Sequence, residues 1–173
     1  MYVELISGFV RMCRDGVDTD NEWRLVIAGL ADDVGYTAEL SVLVARLHLQ
    51  DRVIFTGAVP RAEIARLLGG VLAMVYNSIC ESFGLPLLEA MAAGVAVACS
   101  RLSAMIEVAG DAALTFDARS PAEIAAVLVQ LRDPKVRTSL IARGQNRITH
   151  FGSWADAADQ TRFVLLKAVQ TYA

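Results

Sequence analysis

Hydrophobic positions along the chain follow two alternating patterns. Short, nearly continuous apolar runs rich in valine, isoleucine and alanine recur at RLVIAG (24–29), RVIFTG (52–57), VLAMVYNS (71–78), VAVACS (95–100) and AALTF (112–116). Between them apolar residues return every three to four positions, the spacing of a helix with one buried face. That spacing covers about Thr37–Leu47, RAEIARLL (61–68) and Pro86–Ala93. Three more helical stretches begin near Pro121, Pro134 and Trp154; proline in a first turn loses no helical hydrogen bond and marks a start. Ser120 three residues before Glu123 adds a capping box. Strand runs without polar alternation belong to strands covered on both faces, and their alternation with helices predicts a parallel sheet between two helical layers. The expected fold class is therefore α/β and Rossmann-like. Gly29 and Gly57 close two of the strands, and in such a fold the turns beyond the strands' carboxyl ends rim the ligand crevice.

Composition narrows the function classes. At 173 residues the chain fits one domain with a real core, and its 55% hydrophobic content is distributed in strand-length runs rather than the roughly 20 residues needed to span a bilayer. The opening MYVELISGFVRM carries Glu4 and lacks the basic start and small-residue cleavage site of a signal peptide, so a soluble, cytoplasmic protein is expected. Sixteen basic and nineteen acidic residues give a net charge of -3, and the two lysines, Lys135 and Lys167, both lie in the last third. No basic stripe suits a nucleic acid. Cys13, Cys80 and Cys99 show no metal-ligand or disulfide spacing and read as free thiols. His48 and His150 stand alone in helical stretches, and Trp23 and Trp154, at the start of a strand and of a helix, read as core anchors.

One segment carries candidate chemistry. ICESFGLPLLEAMAAG (79–94) follows the VLAMVYNS strand and leads into a helix opened by Pro86. The free N–H groups of that first turn, with the positive end of the helix dipole, form a site for an anion. Gly84 removes a side chain where a ligand would approach the backbone. Glu89, about one turn inside the helix, suits two hydroxyl donors such as a vicinal diol, and Glu81 stands across the loop facing the same crevice. A glutamate that complements the dipole and a solvated loop glutamate are the plainer alternatives for the pair.

ESFGLPLLEAMAAG resembles the E-x7-E segment of retaining glycosyltransferases of GT-B architecture, family 4. WRLVIAGL, DRVIFTGAVPRAEIARLL, EVAGDAALTFDARSPAEIAAVL and DPKVRTSLIARGQNRITHFGSWADAADQT follow one another as in that family's C-terminal, nucleotide-sugar-binding domain. The resemblance implies the C-terminal half of a GT-B fold that binds a nucleotide-sugar and transfers its glycosyl group with retention. It places Glu89 on the nucleotide ribose and Glu81 beside the donor sugar and anomeric centre, as the catalytic position. Backbone amides of Phe83, Gly84 and Leu85 would meet the sugar and diphosphate, and the base would lie near Val59. It implies no cofactor beyond the nucleotide-diphosphate sugar, and no metal.

The resemblance also sets departures. MYVELISGFVRM matches the helix after the family's first strand and its loop, which bears an arginine and a lysine for the diphosphate; that strand, that lysine and the acceptor-binding N-terminal domain have no counterpart here. Residues 1–173 are thus expected to form one donor-binding domain that is inactive alone. Its partners would be a nucleotide-sugar and either the missing N-terminal domain or a second copy. Arg61 and Arg101 are candidate substitutes for the lost cations, with solvated surface arginines the favoured reading, and Ile106 stands where many relatives carry proline. The absent strand would lie between RLVIAG and VLAMVYNS, which either close up, accept a strand from a partner or second copy, or aggregate; the partner or second copy is the favoured outcome. An epimerase of GT-B architecture and a non-catalytic binding module are the alternative functions.

Overall fold

The structure is a computed structural model that describes residues 2–14, 22–29 and 33–172. In chain order its elements are α1 (Tyr2–Arg14), β1 (Leu25–Ala28), α2 (Val34–Arg46), β2 (Val53–Gly57), α3 (Arg61–Gly70), β3 (Ala73–Tyr76), α4 (Leu85–Ala92), β4 (Ala96–Ser100), α5 (Ser103–Ala109), β5 (Ala113–Phe116), α6 (Pro121–Arg132), α7 (Pro134–Ile148) and α8 (Trp154–Tyr172). Strands are parallel and helices cover both faces, the expected α/β class. All five β4 residues are buried, and they serve two cores by simple alternation. Ala96 and Ala98 pack with α1, α2 and α6, whereas Val97 and Cys99 pack with α4 and α5. This is why VAVACS shows no polar alternation.

Helix boundaries follow their caps. The α2 helix starts three residues before Thr37 because the Asp33 side chain accepts from the Tyr36 N–H at 2.9 Å. Pro121 and Pro134 open α6 and α7, capped by Ser120 and Asp133. The capping box forms only by half. Ser120 Oγ accepts from the Glu123 N–H at 3.2 Å, but the Glu123 carboxylate turns to the Asp117 N–H at 3.0 Å and to Arg101 at 2.6 Å. The α1–α6 contact is close at Gly8, where a Cβ would stand 2.5 Å from Ile124 Cγ2. Short α5 carries no side-chain cap, and the helical spacing of the sequence did not reveal it.

Trp154 is no core anchor. It is 79% exposed, and every described side chain from it to Thr171 is exposed, including Phe163, Val164, Leu165, Leu166 and Val169 of α8. Only a packing partner makes a tryptophan an anchor, and α8 lies off both cores. Trp23, by contrast, packs against the larger core with the Arg132 guanidinium 5.7 Å from its ring centroid.

The sheet is split. β1 pairs with β2, and β3–β4–β5 form a second ladder, with no pairing between β1 and β3. The two strands have not closed up. Between them runs a cavity of about 880 Å³, walled by both strands, with Leu5 and Phe9 of α1 on one side of the sheet and Ile64 and Leu67 of α3 on the other. Among the described residues none lies between the two edges as a strand.

Candidate functional site

The carboxyl ends of β1 and β3 open onto a rim built by the turns that follow them. Gly29 after β1, Val59 after β2, Asn77 and Ser78 after β3, then Glu81, Pro86 and Glu89 all border the same cavity that separates the strands. The sequence places them there through strand ends and turn chemistry. Gly84 caps α4 in the left-handed region, φ 86°, a conformation that costs a residue with a Cβ about 1–2 kcal/mol. The reversal it makes brings the start of α4, with Pro86 in its first turn and Glu89 just beyond it, back beside the β3 loop. Helix α4 begins at Leu85, with Pro86 second.

The loop between β3 and α4 is held at two points. Ser100 Oγ, at the buried end of β4, donates to the Ser78 carbonyl. Tyr76, the last residue of β3, donates its phenol to Glu81 Oε1 at 2.6 Å. Burial, with the bond to the Glu81 carboxylate, raises the phenol's pKa well above its usual value, so it remains a donor throughout the working pH range. Neither pin was legible in the motif, since both depend on where the strands end in space.

The site residues inferred from the sequence divide into two groups. Val59, Glu81 and Glu89 border the cavity, whereas Phe83, Gly84 and Leu85 are not among its lining residues. Phe83 turns its ring edge-on to Phe151, centroids 6.0 Å apart at 88°. Behind it Arg147 stacks on Phe151 at 5.2 Å and donates to the carbonyls of Glu107 and Val108, at 2.6 and 2.9 Å. That arginine satisfies the carbonyl end of α5, an arrangement expected of a cation near a helix C-terminus.

Charge at the rim is negative. Arg101 is committed to Glu123 by a 2.6 Å ion pair, and neither Arg101 nor Arg61 lines the cavity. Its lining cation among the described residues is Arg24, just before β1 and thus at the opposite end from Glu81 and Glu89. The rim therefore offers two carboxylates as hydroxyl acceptors and one helix N-terminus as anion site. Among the described residues no group of three His, Cys, Asp or Glu side chains has the arrangement to hold a metal ion. No described helix is long and apolar enough to cross a membrane.

A parallel α/β domain with paired carboxylates and a helix N-terminus at the strands' carboxyl ends belongs to the Rossmann-like ligand-binding class. The family described as glycosyl transferases group 1 matches residues 2–147, and the chain belongs to that family. The O-antigen chain mannosyltransferase B of Escherichia coli is 35% identical over 149 residues, which are 84% of this chain and 38% of that protein. The C-terminal domain of the group 1 glycosyl transferase LpcC from Francisella tularensis superposes with a TM-score of 0.72 at 26% identity, over 87% of this chain and 80% of that one. Anabaena HepE, solved in complex with UDP-glucose, has the same fold, with a TM-score of 0.74 at 20% identity over 87% of this chain and 44% of its own. The chain thus spans 38% of the length of the mannosyltransferase it matches. Its relatives are GT-B glycosyltransferases, which does not favour the epimerase alternative.

Proposed function

We propose that this chain is the donor-binding domain of a retaining glycosyltransferase and that its ligand is a nucleotide-diphosphate sugar. The observation that carries the reading is the convergence of Val59, Glu81 and Glu89 on one cavity beside the α4 N-terminus. In this reading Glu89 accepts both ribose hydroxyls, the base lies against Val59, and Glu81 faces the glycosyl group as catalytic residue. The diphosphate meets the free N–H groups of the loop and first turn around Phe83, Gly84 and Leu85. Charge develops on the leaving diphosphate as the glycosyl bond breaks, and amide donors aimed there stabilise it without an essential metal.

The negative rim bears on affinity. The diphosphate of a nucleotide-sugar carries about two negative charges, and each charge-assisted bond is worth roughly 1.5–3 kcal/mol. With Arg101 committed to Glu123, the isolated chain binds its donor weakly and turns nothing over. An acceptor-binding N-terminal domain brings the acceptor to this site, and a partner chain or second copy supplies the strand for the split sheet. Thiols such as those of Cys80 and Cys99 suit a reducing compartment, and the cytoplasm is the proposed location.

Calorimetric titration with UDP-, GDP- and ADP-sugars tests the reading. One donor class should bind more tightly than the other two, and chelation of divalent ions should leave that affinity unchanged. Addition of an N-terminal domain should then produce transfer with the donor's anomeric configuration retained in the product. Absence of binding to all three donor classes at millimolar concentration refutes the donor-domain reading.

A further inference from the structure

The Tyr76–Glu81 bond joins the end of β3 to a carboxylate on the cavity rim. Glu81 sits in a loop, where a glutamate side chain samples several rotamers, and ordering it on ligand binding costs about a tenfold loss of affinity. Here one of its oxygens is already held, at 2.6 Å, by a phenol from the rigid end of β3. Tyr76 is half-buried and packs its ring against the α4–α5 core, so the donor itself is fixed. The loop backbone is anchored separately by Ser100 at the Ser78 carbonyl. The two pins divide the work: one sets the chain path, the other sets the carboxylate.

We propose that Tyr76 is the positioning residue of Glu81, holding Oε1 so that the carboxylate presents Oε2, its oxygen not bonded to the phenol, in a fixed direction to a hydroxyl of the donor's glycosyl group. This rests on the donor-domain reading above and adds to it a residue that the E-x7-E motif does not contain. A carboxylate with both oxygens free accepts donors from many directions. One whose Oε1 is occupied accepts from few, and the glycosyl hydroxyl must lie where Oε2 points. Tyr76 therefore acts on the sugar half of the ligand and not on the nucleotide half.

The test measures the contribution of the hexose by itself. Calorimetry on matched probes, UDP with UDP-glucose and GDP with GDP-mannose, gives the affinity gained by adding the sugar. Tyr76→Phe keeps the ring and its packing while removing the donor, and thermal melting verifies that the fold is intact. The expected result is a roughly tenfold loss of the hexose gain with the nucleoside diphosphate affinity unchanged. In a Glu81→Gln background the same Tyr76→Phe change should cost far less, because the two residues act as one unit. Equal losses for nucleotide and nucleotide-sugar, or additive losses in the double variant, overturn the proposal and leave Tyr76 a packing residue. A native chain that binds nucleoside diphosphate with no gain from the hexose also overturns it, while the nucleotide site stands. A chain that binds neither probe of either pair overturns the donor-domain reading and this role with it.

Discussion

The open edges of β1 and β3 predict that the isolated chain self-associates. Successive residues of a strand turn their N–H and C=O groups to opposite edges, so of the four residues in β1 and the four in β3 about half address the slot. That leaves roughly four donors and four acceptors there. Pairing them with another strand nets about 0.5–1.5 kcal/mol per bond, or about 4–12 kcal/mol in all. Covering the apolar walls adds about 25 cal/mol per Å² removed from water. Association itself costs about 4–15 kcal/mol. A micromolar dissociation constant needs a net gain of about 8 kcal/mol, which the strand bonds reach only with the apolar burial added, so oligomers should form at micromolar rather than nanomolar concentration. The perturbation is Val26→Lys. Val26 is half-buried, borders the slot and belongs to neither core, so the change spares packing. It places on an open edge the charge that natural edge strands use against pairing. Light scattering should show wild-type mass above the monomer and Val26→Lys shifted to the monomer, with melting temperatures alike. A wild-type monomer at high micromolar concentration, with β1 and β3 amides as protected from exchange as those of β4, refutes the reasoning.

Three further outcomes follow from the site. Glu89→Gln should weaken nucleoside diphosphate binding by about ten- to a hundredfold, the loss of a charge-assisted bond, while Glu81→Gln leaves it nearly unchanged; equal calorimetric losses count against the role assignment. Gly84→Ala meets no atom closer than Leu87 Cδ1 at 3.4 Å, so its cost is the left-handed backbone, about 1–2 kcal/mol. At this chain length that lowers the melting temperature by about 2–8 °C, and an unchanged melting curve would show that the turn is not the one described. Burial pushes the Cys99 thiol up to about 11 from 9.0, whereas Cys80 is exposed. Alkylation at neutral pH should therefore label Cys80 and spare Cys99 until the chain unfolds. Because the folded pKa is the higher one, the stabilisation is complete below about pH 9 and is lost as pH rises through about 11. Rapid labelling of Cys99 in the native protein would contradict its burial.

Much of this molecule is local in origin, and that part was legible in one dimension. The five apolar runs became five strands because each carries its own period and ends on its own turn residues. Pro121 and Pro134 open helices because proline suits a first turn wherever it occurs. The same logic put Glu81 in the loop after a strand and Glu89 on the following helix, while family resemblance supplied the roles proposed for them. Tertiary structure decided what those residues touch. Glu123 is spaced for a capping box, yet its carboxylate goes to Arg101, 22 residues away, and to the Asp117 N–H, partners that only the folded chain brings within reach. Trp154 has the character of an anchor but no surface to anchor against. Tyr76 looks like one more apolar strand residue until the loop folds back and Glu81 arrives at its hydroxyl. Above all, the period of RLVIAG and VLAMVYNS states that each is a strand and says nothing of its neighbour. Whether two strands pair depends on the elements packed around them, and here β1 and β3 form walls of a slot lined also by α1 and α3. Periodicity is set by adjacent residues along the chain, whereas pairing is set by packing between elements distant in it.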